Sequence, residues 1–271
     1  MIRIGAVGDI HIAIDSVGTL RPALADIAEH VDVLLLAGDL TKCGTPEEAR
    51  LVAEELADVT VPMVAVLGNH DHHDSRPEAV VDILACGGIR VLEGSTAVLD
   101  LPQGRLGVAG AKGFGGGFAG ATATAFGEPE MKAFVHHTER VSARLADALD
   151  QLDLEGCDAK VALLHYSPVP ETLVGERLEI YPFLGSQLLA EAVDGSGADL
   201  VLHGHAHAGS EHGETPGGVP VRNVALPVIR HAYRVFTLEA HGHHRPDRVE
   251  SGAPDAPAAP ETARERVSLR R

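Results

Sequence analysis

Three short apolar runs, Ile2–Val7, Val33–Ala37 and Pro62–Leu67, each close on a glycine, Gly8, Gly38 or Gly68, and a polar side chain follows each glycine: Asp9, Asp39 and Asn69. Runs of this length, rich in Val, Ile and Leu, are the pattern of buried strands. Helical segments lie between them. Thr45-Pro46-Glu47-Glu48 offers an N-cap hydroxyl, a proline at the first helical position and an acid in the first turn, and Ser75-Arg76-Pro77-Glu78 repeats the pattern. Strands that alternate with helices pair in parallel. Open parallel sheets bind ligands beyond the carboxyl ends of their strands, and that is where Asp9, Asp39 and Asn69 fall.

Past a further strand at Ile89–Leu92, the segments Ala97–Leu101 and Arg105–Ala109 meet across Pro102-Gln103-Gly104 and are expected to pair antiparallel. A glycine-rich loop, Lys112–Phe118, follows. Glu128–Leu152 carries the longest helical pattern; its stripe of Met131, Phe134, Val135, Thr138, Val141, Leu145, Ala148, Leu149 and Leu152 reads as core packing. Lys160–Leu164, Leu200–Leu202, Val219–Val224 and Tyr233–Leu238 are the remaining expected strands, with Ser186 capping a helix through Val193. One domain over 1–240 is expected. Residues 241–271 combine Gly, Pro, Ala and alternating charge with almost no large apolar side chains, the composition of a disordered tail.

The charge balance narrows the function. With 22 Lys and Arg against 39 Asp and Glu, the net charge is −17, which opposes binding to phosphate backbones, and no Trp, three Tyr and six Phe leave little material for stacking bases. No nucleic-acid partner is expected. The longest apolar run, Val31–Ala37, is interrupted by Asp32, so no membrane span is expected. Met1–Ile12 meets Asp9 and His11 too early for a secretory signal. The expectation is a cytoplasmic protein, in which Cys43, Cys86 and Cys157 are reduced thiols used for packing. Sixteen histidines in so acidic a chain direct attention to metal.

Metal-competent side chains recur at strand ends: Asp9 and His11, Asp39, Asn69 and His70, His165, then His203, His205 and His207. Each motif alone has a bland reading as a polar turn or a satisfied core histidine. All five in order, each after a strand signal, point to a site for two metal ions. If the backbone stays extended, Asp9 and His11 face the same way, as do His205 and His207.

These blocks, from Asp9 to His207, resemble the calcineurin-like metallophosphoesterase family. The resemblance implies an α/β fold, a mixed two-sheet αββα sandwich. It implies one metal held by Asp9, His11, Asp39 and His207, and a second held by Asp39, Asn69, His165 and His205, with Asp39 shared. Two divalent cations roughly 3.5–4 Å apart would neutralise phosphoryl oxygens and bridge a hydroxide for attack on a phosphate mono- or diester. Oxygen and imidazole donors suit Mn, Fe or Zn without choosing among them. His70 is then either the acid that protonates the leaving oxygen or an outer donor that orients Asn69.

Gly38-Asp39-Leu40-Thr41 and Gly68-Asn69-His70-Asp71 are similar to the bacterial class III cyclic-nucleotide phosphodiesterase branch, although Tyr166 stands where that branch often has a second histidine. The expected partner is a small phosphorylated substrate. A non-catalytic interaction scaffold of the same fold is the alternative. Lys112–Phe118 is read either as an anion-contacting loop or as a plain hairpin connection. Asp71, His72, His73 and Asp74 are read as a solvated loop, the alternative being that one of its carboxylates orients His70; His203 is read as a residue behind the ligands and Cys43 as packing. Tyr166-Ser167-Pro168 and Glu176 fall at the mouth of the cleft.

Overall fold

The computed structural model describes residues 1–240; the expected tail, 241–271, lies outside the described residues. The strands are β1 (Ile2–Val7), β2 (Val33–Ala37), β3 (Met63–Val66), β4 (Ile89–Leu92), β5 (Ser95–Leu101), β6 (Gly104–Ala111), β7 (Gly117–Phe118), β8 (Ala121–Thr122), β9 (Ala159–Leu164), β10 (Leu200–His203), β11 (His212–Glu214), β12 (Pro220–Asn223) and β13 (Arg234–Leu238). The helices are α1 (Ile27–His30), α2 (Pro46–Glu55), α3 (Pro77–Cys86), α4 (Pro129–Glu155), α5 (Tyr181–Leu184), α6 (Gln187–Asp194) and α7 (Leu226–Ile229).

Two sheets carry the fold. The first has the order β13-β1-β2-β3-β4, parallel except for β13; the second has the order β11-β12-β10-β9-β6-β5, parallel at its centre with antiparallel β11 and β5 at its edges. Alternation along the second sheet separates two cores. Leu106, Val108, Val161, Leu163, Leu200 and Leu202 face the first sheet, while Ala109, Ala162, Leu164 and Val201 face α4 and α6. Buried residues of α1, α2 and α3 join the first of these cores, completing the αββα layers.

Local signals explain most boundaries. Thr45 accepts the Glu48 N–H at 3.2 Å, as its N-cap position requires, but Glu48 accepts from the Cys43 N–H instead of closing a box on Thr45. Ser75 does not cap the next helix. It sits at φ 58°, and Arg76 takes the N-cap position without a side-chain bond, so Pro77 alone marks that start. In α4 the stripe from Thr138 to Leu152 is buried, whereas Met131 is exposed and Phe134 is half-buried against Phe114. Cys86 is exposed, against the expectation that all three cysteines pack. Among the described residues, no helix is long and apolar enough to cross a membrane.

One buried acid ties the loop after β1 to α2. Glu55 is 4% exposed, and its carboxylate accepts the backbone N–H groups of Gly18, Leu20 and Arg21. Burial pushes its pKa up, but these bonds outweigh burial and hold it below the usual carboxylate range. A depressed folded pKa contributes stability that is present above the unfolded pKa and lost as pH falls through the folded value. Glu55→Gln is therefore expected to lower unfolding stability by about 1–3 kcal/mol at pH 7. In denaturant titrations the gap between variant and wild type should narrow on acidification.

Candidate metal centre

The carboxyl ends of β1, β2, β3, β9 and β10 meet in one place. Ligand-capable atoms of Asp9, His11, Asp39 and His207 lie within 4.8 Å of one another, and so do those of Asp39, His165 and His205. Asp39 belongs to both groups. His207 Nε2 is 2.9 Å from Asp9 Oδ1 and 3.4 Å from His11 Nε2, and His11 Nε2 is 3.8 Å from Asp39 Oδ2. On the other side, His165 Nε2 is 3.4 Å from Asp39 Oδ1 and 3.0 Å from the amide oxygen of Asn69. All seven residues expected at the centre are thus brought together.

Backbone geometry differs from the extended form expected for Asp9-x-His11 and His205-x-His207. Asp9 (φ 57°), His11 (φ 44°), Asp39 (φ 50°) and His205 (φ 71°) are in the left-handed region, four of the six described non-glycine residues at positive φ. That region is costly for residues with a Cβ, and strain of this kind concentrates at functional sites. These four candidate ligands thus sit in turns at or beyond their strand ends. Gly68 and Gly204 make room for them, since a Cβ at Gly68 would overlap Asp39 Oδ1 and one at Gly204 would overlap Asp9 Oδ2.

The donor set fits cations. His165 Nδ1–H donates to the Ala37 carbonyl at 2.9 Å, which leaves the Nε2 lone pair facing the oxygens of Asp39 and Asn69. Three acceptors that converge without a hydrogen between them are satisfied by a positive ion. Burial lowers the His205 pKa to about 3, keeping the imidazole in the neutral form that ligates, and burial also lowers that of His11. His207 is shifted the other way, raised by its hydrogen bond to Asp9. Burial pushes Asp9 up, but the His207 bond and the surrounding imidazoles hold it low; burial raises Asp39.

His70 lies beside this cluster, outside the metal-competent groups. Its backbone N–H donates to Asp39 Oδ1 at 2.8 Å, its Nδ1–H donates to the Lys42 carbonyl at 2.7 Å, and its Nε2 faces the cleft 4.0 Å from Asp39 Oδ2.

The sequence profile describing calcineurin-like phosphoesterases matches residues 2–209. The chain belongs to the calcineurin-like phosphoesterase family. Members of this family use divalent metals, and the Asp/His cluster is the candidate place for them here. Among solved structures, the phosphopantetheinyl hydrolase from Mycobacterium tuberculosis is similar with a TM-score of 0.60 at 17% identity, over 87% of this chain and 96% of that one. A dimetal phosphatase from Danio rerio is similar with a TM-score of 0.55 at 14% identity, over 88% and 93% of the two chains. No curated protein sequence matches the chain. At these identities the structural likeness shows the phosphoesterase fold.

The family signature hides one contributor that sequence reasoning placed in solvent. Asp71 is fully buried and accepts from the Leu40 N–H (3.2 Å), the Thr41 N–H (2.8 Å), the Thr41 hydroxyl (2.6 Å) and the Gly68 N–H (2.8 Å). It bolts the loop that carries Asp39 to the loop that carries Asn69 and His70. Its position three residues after Gly68, with Thr41 two after Asp39, is the available signal, but only the fold shows that the two loops touch. A second buried chain supports the His205 loop: the Thr172 hydroxyl meets His203 Nε2 at 2.8 Å, and His203 Nδ1–H donates to the Gly204 carbonyl at 2.8 Å.

Asp71→Asn places an amide N–H against backbone donors. Calorimetric titration with Mn is expected to show affinity at least about tenfold weaker, with the circular dichroism of the folded chain retained. Unchanged affinity would mean that the bolt does not position the centre.

Proposed function

We propose that this family member is a metal-dependent hydrolase of a small phosphate mono- or diester, with two divalent ions, Mn, Fe or Zn. The observation that carries the reading is the shared position of Asp39 between two groups of convergent donors. Asp9, His11, Asp39 and His207 would hold one ion, and Asp39, Asn69, His165 and His205 the other. Such ions supply charge neutralisation of the phosphoryl oxygens and acidification of a nucleophilic water.

The chain's own residues do the rest. Asp71 and the Ala37 carbonyl fix the donors before substrate arrives. The Lys42 carbonyl takes the Nδ1–H of His70, so Nε2 is the nitrogen turned to the cleft; with both ring nitrogens protonated it is the one placed to give a proton to the leaving oxygen, leaving the neutral Nδ1–H imidazole. Lys112 is half-buried near Asp39, and its ammonium has no hydrogen bond or ion pair among the described residues. Its nitrogen rests against the rings of Phe114 and Tyr166, 5.1 and 5.4 Å from their centroids, and so presents a positive charge for a second anionic group of the substrate. Burial lowers the Lys112 pKa, against the pull of the Glu93 and Asp39 carboxylates.

With Mn added, bis-p-nitrophenyl phosphate or a simple monoester is expected to be hydrolysed, and removal of metal by chelation should abolish turnover. Protein that retains metal yet turns over no ester would favour the scaffold alternative. His70→Ala should lower kcat by roughly a hundredfold or more while metal content, read by elemental analysis, stays at the wild-type level. Lys112→Ala should raise KM for charged esters with little change in metal content; an unchanged KM would remove Lys112 from the substrate site.

A further inference from the structure

Aromatic residues are scarce in this chain, six Phe, three Tyr and no Trp, yet four of them gather beside the candidate metal centre. The Tyr166 ring lies 4.3 Å from that of His205, centroid to centroid, and the series continues outward through Phe114 (5.8 Å from Tyr166), Phe134 (5.1 Å from Phe114) and Phe183 (6.5 Å from Phe134). The wall returns to the centre at its far end, because His205 Nε2–H donates to the Phe183 carbonyl at 3.3 Å. Tyr166 at the root is buried, Phe114 and Phe134 are half-buried, and Phe183 is 61% exposed.

Tyr166 and Phe114 pack with the core that the second sheet shares with α4 and α6, but Phe183 lies outside it. Single exposed apolar side chains are ordinary, but residues 174–183 leave Val174, Leu178, Ile180 and Phe183 all exposed, Leu178 toward a separate pocket that Tyr181 and Pro168 also line. That segment borders the centre from the His207 side, where Glu176 accepts the Ala208 N–H at 2.7 Å, to the His205 side at Phe183. Phe183, the exposed member of the segment that reaches His205, carries the series of rings to the rim of the centre. The unpaired Lys112 ammonium over Phe114 and Tyr166 supplies the anion contact at the root of the wall.

We infer that Phe114, Phe134 and Phe183 form the leaving-group subsite, and that the substrate is a phosphate ester of an alcohol carrying a planar aromatic ring. The inference rests on the phosphoesterase reading and names its substrate class. The phosphoryl group sits at the Asp39 cluster, and the ring of the alcohol lies along the wall in offset or edge-to-face contact. Aliphatic alcohols of equal size gain only the area term, and polyols lose it.

The test compares benzyl, cyclohexylmethyl and glycerol phosphates, as monoesters and as methyl diesters, because their leaving alcohols are of comparable acidity. Binding of phenylphosphonate and butylphosphonate by calorimetry is the readout without turnover. The expected order of kcat/KM is benzyl, then cyclohexylmethyl, then glycerol, with phenylphosphonate bound about fivefold or more tighter than butylphosphonate. Phe183→Ala should reduce the benzyl-to-glycerol ratio about fivefold to tenfold, and Phe134→Ala should do likewise. Leu154→Ala, exposed at the far end of α4, should leave the ratio as in wild type. Turnover without preference for the ring, or a ratio unmoved by both Phe variants, would overturn the aromatic subsite and leave the phosphoesterase reading standing. No turnover of any ester, with ring-dependent phosphonate binding retained, would overturn the hydrolase reading and keep the aromatic wall as a binding site. A nucleoside monophosphate and phenyl phosphate, run as further arms, separate a nucleobase from a simple aryl group as the source of the ring.

Discussion

Two buried carboxylates, Asp9 and Asp39, packed against four imidazoles at the ends of parallel strands are the constraint on which the molecule turns. Buried charge is tolerated only where donors or cations answer it. Here the backbone answers part of the demand: His205 N–H donates to Asp9, and His70 N–H donates to Asp39. The remaining oxygens and nitrogens point at one another. Convergent acceptors of this kind give the chain a reason to hold four of the candidate ligand residues in the left-handed region, where an ordinary turn would relax.

The loops that present these groups are fixed by contacts that no single strand supplies. Asp71 spans the loops after β2 and β3, the Ala37 carbonyl orients His165 on the opposite sheet, and the Thr172–His203 pair backs the loop after β10. Both sheets therefore contribute to one centre, and the sandwich is the device that brings their carboxyl ends face to face. Donors fixed in this way would need little reorganisation on binding, the condition under which electrostatic stabilisation is strongest.

Much of this was legible in the sequence, because the signals were local. Apolar runs closing on glycine located the strands, and the polar residue after each glycine located Asp9, Asp39 and Asn69. What was not legible depends on contacts between distant segments. The acid at Asp71 looks solvated in its own loop, and its burial arises only when Leu40, Thr41 and Gly68 surround it. The extended pairing expected for Asp9 and His11 fails because neighbouring backbone, the Gly38 and Asp39 carbonyls, captures their N–H groups. A low aromatic content gave no hint that rings would gather beside His205, since Phe114, Phe134, Tyr166 and Phe183 come from four separate stretches of chain.

The central claim is that one carboxylate, Asp39, serves two cation positions at once. Anomalous diffraction from crystals grown with Mn, collected above and below the metal edge, measures this directly. Two peaks are predicted, one among Asp9, His11 and His207 and one among Asn69, His165 and His205, both in contact with Asp39. A single peak, or peaks elsewhere with Asp39 touching neither, would contradict the account.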